Sequence, residues 1–109
     1  SHVAGTFEAD IRGFRIVDGK PDLTADSVDT LQYLALRELL KDDLNKSLEV
    51  ISFRNGRYAE PSSPGKNMTG SIEVEYRVGP GPSAVQQFQF EKNAGAWKVV
   101  RALRKKTAG

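Results

Sequence analysis

Apolar and polar residues alternate through most of the last third of this chain. Ile72, Val74, Tyr76 and Val78 interleave with Ser71, Glu73, Glu75 and Arg77. That is the period of a strand with one buried face and one wet face. Gly79-Pro80-Gly81-Pro82-Ser83 ends the run, because proline cannot donate to a ladder and glycine permits a tight reversal. A second run follows, with Phe88 and Phe90 on one face and Gln87, Gln89 and Glu91 on the other. Asn93-Ala94-Gly95 reads as a hairpin connection, and residues 96–104 as a third strand. Residues 70–106 therefore predict an antiparallel meander.

Upstream the pattern changes twice. Residues 6–17 are strand-like with one fault in phase: Phe7, Ala9 and Ile11 share one parity, Phe14 and Ile16 the other. A bulge at or beside Gly13 would return both sets to one face. Two short strands meeting at a turn there is the alternative. Asp18-Gly19-Lys20-Pro21 has turn chemistry. Thr24 is placed to cap a helix, with Asp26 in its first turn. Residues 25–41 then carry Val28, Leu31, Ala35 and Leu39 on one stripe, widened by Leu34 and Leu36. Leu40 and Leu44 are spaced for the helix to reach Asn45, whereas Asp42 and Asp43 oppose the dipole and argue for an earlier end. Residues 47–54 predict a strand, Asn55-Gly56 a hairpin turn, and Arg57-Tyr58-Ala59 a short return strand. Residues 60–69, with two prolines, two serines and a glycine, predict a flexible loop.

One helix set apart from a run of strands predicts an α+β fold. The helix stripe should lie across a curved antiparallel sheet of four to five strands. Phe53, Ile72, Val74, Tyr76, Phe88, Phe90, Trp97 and Val99 should form the sheet side of the core. This arrangement resembles the cystatin-like fold and its relatives in the nuclear-transport-factor-2-like superfamily. The residues that carry the resemblance are Gly70-Ser-Ile-Glu-Val-Glu-Tyr-Arg-Val78 and Phe88-Gln-Phe-Glu-Lys-Asn-Ala-Gly-Ala-Trp-Lys-Val-Val100, the second similar to the closing hairpin of that superfamily. It is a resemblance of topology over most of the chain. Val85-Gln86-Gln87-Phe88 does not reproduce the Gln-Val-x-Val-Gly tip of cystatin inhibitors, and Trp97 lies inside a strand rather than in a later loop. The likeness therefore does not extend to protease inhibition. Enzymes of the wider group use a buried Asp, His or Tyr in a pocket beneath several helices; a single helix implies a shallow one. Domains of similar shape also occur in VirB8-like subunits of bacterial secretion and conjugation machines, which implies an assembly role.

Composition narrows the chemistry. At 109 residues the chain predicts one domain over residues 3–106 with a short tail at 107–109. A domain of this size buries roughly two thirds of its unfolded surface. Apolar residues make up 39% and charged residues 28%, as in ordinary globular domains. No apolar run approaches the roughly 18 residues of a membrane span, so membrane attachment would need a segment outside this sequence. With no cysteine, thiolate catalysis, thiolate metal sites and disulfides are excluded. That is compatible with a periplasmic or cell-envelope location. The single histidine, His2, follows Ser1 with no initiator Met, which reads as the remnant of a cleaved tag.

No cofactor or metal motif emerges. Gly79-x-Gly81 leads into Pro82 and a strand, where a phosphate cradle needs a helix N-terminus. Asp42 and Asp43 are adjacent and diverge on a helix, so they make poor paired ligands. Glu73 and Glu75 fall on the outer strand face and should be solvated. No catalytic residue is assigned. Three candidate surfaces remain. Gln86, Gln87 and Gln89 offer a polar, uncharged face for a protein partner or a second copy, on a sheet whose edges are open to pairing. Tyr33, Tyr58 and Tyr76 are the candidate lining of a helix–sheet cleft in a ligand-binding or enzymatic reading. Arg101, Arg104, Lys105 and Lys106, with Lys98 and Arg77, are a candidate basic stripe for weak, salt-sensitive phosphate contact. Against nucleic acid stands the commitment of Phe88, Phe90 and Trp97 to the core, which leaves no exposed stacking platform. The net charge of only +2 says the same. The leading expectation is a non-catalytic interaction or assembly domain cut from a larger protein.

Overall fold

The computed structural model describes residues 16, 17, 19–41 and 47–105. Strand β1 (Ile16–Val17) pairs antiparallel with β2 (Lys20–Pro21), reversing where turn chemistry was expected. Helix α1 (Val28–Lys41) follows. Strands β3 (Leu48–Ala59), β4 (Thr69–Val78), β5 (Ala84–Asn93) and β6 (Ala96–Lys105) form one antiparallel sheet in the order β3-β4-β5-β6. Among the described residues the fold is α+β, one helix on a curved antiparallel sheet. The bulge at Gly13, the tag remnant, the helix extension through Asp42 and Asp43 to Asn45, Lys106 and the tail at 107–109 lie outside the described residues.

The helix begins later than the sequence suggests. Ser27, not Thr24, is the cap: its Oγ accepts the Asp29 amide at 3.1 Å. Thr24 is drawn instead into a local turn, donating its backbone N–H and its hydroxyl to Asp22 Oδ1. Leu31, Leu34, Ala35, Leu36 and Leu39 then face the sheet and are buried.

The Asn55-Gly56 pair does not make a hairpin. β3 runs straight through it as one strand paired along the whole of β4. Between Arg54↔Glu73 and Arg57↔Ser71, β3 advances three residues while β4 advances two, so one residue bulges out. Asn55 takes a φ of 56° there. The dipeptide favours left-handed backbone, and a bulge uses that as readily as a turn. Gly56 also lies under Val28 and Ile72, where a β-carbon would sit 2.7 Å from Val28 Cγ1. A second bulge sits at Ile51 and a third at Val100 on β6.

The core joins the helix stripe to Leu48, Val50, Ile72, Val74, Phe88, Phe90 and Trp97. Phe53, Tyr76 and Val99, expected in it, pack at its margin and are only partly buried. The loop between β3 and β4 is tied down at three points. Lys66 donates to the Ser63 carbonyl, Asn67 Nδ2 to Asn93 Oδ1, and the Lys92 amide to the Met68 carbonyl.

Candidate interaction surface

Strand alternation decides where each candidate residue lies. Gly70, Ile72, Val74 and Tyr76 face the helix; their partners across the ladder are Phe90, Phe88, Gln86 and Ala84. Gln86 therefore belongs to the helix side, where the Tyr76 hydroxyl donates to its Oε1 at 3.2 Å. Gln87 and Gln89 point the other way, and Gln89 Nε2 donates to Gln87 Oε1 at 3.2 Å. The three glutamines do not form one face, because adjacent strand residues cannot.

Among the described residues no helix lies over the face carrying Gln87 and Gln89. That face holds an open groove of about 340 Å³ lined by Arg57, Ser71, Gln87, Gln89, Glu91 and Val100 among others. Small side chains at Ser71, Thr69 and Ala59 leave the depression. Arg57 and Glu91 have no ion-pair partner among the described residues. Sequence reading missed Arg57, because its face depends on the bulge at Asn55. Glu91 was legible, since it shares the parity of Gln87 and Gln89.

The three tyrosines are dispersed. Tyr33 is on α1 with the Arg37 guanidinium 5.8 Å from its ring centroid. Tyr58 sits opposite Gly70, its ring edge-on to Trp97 at 6.2 Å between centroids. Tyr76 lies six residues further along β4, about 20 Å away. Only Tyr58 borders the groove. Between helix and sheet, Leu31, Leu34, Leu36, Ile72 and Phe88 are close-packed and buried.

The basic residues are divided as well. Register places Arg101 and Lys105 on the uncovered face and Arg104 on the helix side. Lys105 Nζ is engaged by Glu73 Oε2 at 2.6 Å. Glu73, expected to be solvated, has a side chain only 13% exposed because Lys105, on the same face in the next cross-strand row (Glu75, Val85, Lys105), reaches diagonally over it. The hydrogen bond from Lys105 holds the Glu73 carboxyl below its usual value, with burial opposing. Arg77 pairs with Glu49 at 2.8 Å and Arg54 approaches Glu75 at 3.9 Å. Acids interleave with the bases, so the stripe is not one uniform patch.

Asp26 has a role no local pattern announces. It lies just before the helix and accepts Lys92 Nζ at 2.6 Å and Trp97 Nε1 at 3.1 Å. Its carboxyl is held below the usual value chiefly by the Lys92 hydrogen bond, against the opposing effect of burial. The Asp26 side chain is 40% exposed, so the ion pair itself contributes little. The buried indole N–H is the costlier group to orphan. Asp26→Ala is expected to destabilise by about 1–3 kcal/mol on that ground, and Asp26→Asn by less, measured by urea unfolding. Both Asp26 and Glu73 have folded-state values below the unfolded ones near 3.8 and 4.5. Their contribution is present above those unfolded values and lost as pH falls through the lower folded ones. The unfolding midpoint should stay level from neutral to about pH 5 and fall below about pH 4. In Asp26→Asn that acid fall should be shallower.

Among the described residues no helix is long and apolar enough to cross a membrane. Comparison of the chain with protein-family models, with curated proteins and with solved structures gives no match.

Proposed function

We propose that this domain is a non-catalytic assembly module that pairs with a second copy of itself through the uncovered face of its sheet. The observation that carries this reading is the one-sided layering: α1 covers one face of β3–β6, and the other presents the open groove beside Gln87 and Gln89. Four strands about 4.8 Å apart, each of ten or more residues rising about 3.3 Å, present a face of roughly 600 Å². That approaches the roughly 800 Å² per partner of a stable complex. The face is also self-complementary. Arg57 lies on the β3 side and Glu91 toward β6. A two-fold axis along the strands sets each against the other's counterpart in the second copy. Glutamine amides, which both donate and accept, suit such an isologous contact.

The wider setting we propose is a subunit of a cell-envelope secretion or conjugation assembly. It is supported by topological resemblance, and fold by itself does not carry function.

Light scattering across a concentration series tests the pairing. The native chain should dimerise, Arg57→Glu should weaken the dimer by roughly tenfold or more, about 1.4 kcal/mol or above, and Arg57→Glu with Glu91→Arg should recover it. A strict monomer at every concentration, or no recovery in the double exchange, rejects the reading.

A further inference from the structure

We infer that the free edge of β6, from Val99 to Lys105, is a docking strand for an extended acidic peptide. This does not rest on the dimer reading: it concerns the rim of the sheet, not its face. β6 is last in the sheet order, so one of its sides is paired with β5 and the other pairs with no described strand. Among the described residues that side is covered only at its start, where the Trp97 amide donates to the Leu23 carbonyl at 2.9 Å. No described residue pairs with its backbone beyond that point.

The ladder shows which groups are free. The Trp97 amide points away from β5, and its partner Lys92 sends its amide the other way, to Met68 at 3.0 Å. Antiparallel pairs alternate in this way. Across the bulge at Val100, the outward positions are then Val99, Ala102 and Arg104, opposite Phe90, Phe88 and Gln86. Three residues offering both a donor and an acceptor make a template for one more strand.

Side chains select what can add. β6 carries Lys98, Arg101, Arg104 and Lys105 and no acidic residue. Only Lys105 is in an ion pair with a described residue. Two such edges laid together would oppose like charges, which disfavours a second copy at this site. A strand with carboxylates at alternate positions meets the same charges favourably. The carboxylates then lie beside Lys98, Arg101 and Lys105 on one face, and the intervening side chains fall on the helix side beside Val99 and Ala102. β3, the other edge, is bulged twice and carries both Glu49 and arginines, so it is the poorer template. Seven residues of edge span about 23 Å, enough for a peptide of similar length.

The test uses the full chain and a fluorescein-labelled heptapeptide of alternating Glu and Val. Anisotropy should report binding that weakens as salt rises, and that weakens roughly tenfold or more in Arg101→Glu with Arg104→Glu. Methylating alternate backbone nitrogens of the peptide should abolish it. Hydrogen exchange at the Val99, Ala102 and Arg104 amides should slow on peptide addition and nowhere else in β6. The inference is overturned if those amides are already protected in the free protein, since the edge is then occupied. Equal binding by the methylated peptide, or by a single-stranded oligonucleotide, also overturns it, because charge alone is then being read.

Discussion

Trp97→Ala is expected to cost about 3–5 kcal/mol, the range for removing a large aromatic from a packed core. Trp97 is the largest of the fully buried side chains, at 1% exposed. It joins three parts of the molecule that are distant in the chain. Its ring lies beneath Gly70 and edge-on to Tyr58. Its indole N–H reaches Asp26 before the helix, and its amide holds Leu23. Alanine keeps only the last of these. For a domain of this length the loss corresponds to a melting shift of roughly 10–20 °C. Trp97→Phe separates the contributions: most of the ring volume stays, and Asp26, partly exposed, can turn to water. A cost of about 1–2 kcal/mol is expected for that exchange. Urea unfolding followed by far-UV circular dichroism reads both. A cost below about 1 kcal/mol for Trp97→Ala contradicts the packing described above.

Gly70→Val is expected to rank next, at or above the roughly 1–3 kcal/mol of an overpacked core. A β-carbon at Gly70 would sit 3.1 Å from the Arg57 carbonyl oxygen, 3.1 Å from Leu31 Cδ1 and 3.4 Å from Trp97 Cζ3. One of those neighbours is backbone and the other two are buried, so the site has little room to yield. Gly70→Ala should cost less than Gly70→Val, because it adds the crowded carbon without the two methyls beyond it. Gly79→Ala makes the informative contrast. Nothing lies within 4 Å of its added carbon, but its φ is +62°. Its cost of about 1 kcal/mol is conformational alone. Thermal melts of the three variants should fall in that order, and a Gly70→Val protein as stable as the native chain would show that the helix does not press on β4 at this point.

Both predictions turn on the same close contact between α1 and the sheet, and much of that contact was legible early. The alternation in residues 71–78 and 87–91, and the stripe on Leu31, Ala35 and Leu39, are local periods. They identified the buried faces correctly because burial on one side is what such periods record. Trp97 was placed in the core for the same reason. Alternation also separates Gln86 from Gln87 and Gln89, a separation that the sequence itself carries.

Other features carried no local signal. Asn55-Gly56 specifies a backbone conformation, and whether that becomes a turn or a bulge depends on β4 being long enough to pair with both halves of β3. Thr24 and Ser27 are equivalent as caps until Asp22 claims one of them. Asp26 looks like a helix-dipole residue until Lys92 and Trp97, 66 and 71 positions away, approach it. Glu73 looks solvated until Lys105 reaches across β5 to cover it. The chain's own pattern thus settled its class, the helix stripe, the strands after residue 70 and most of the apolar set, since those follow from spacing along the backbone. Which polar groups meet, and which face the described helix covers, were decided by strand register and helix placement, because those bring together residues whose separation in sequence is tens of positions.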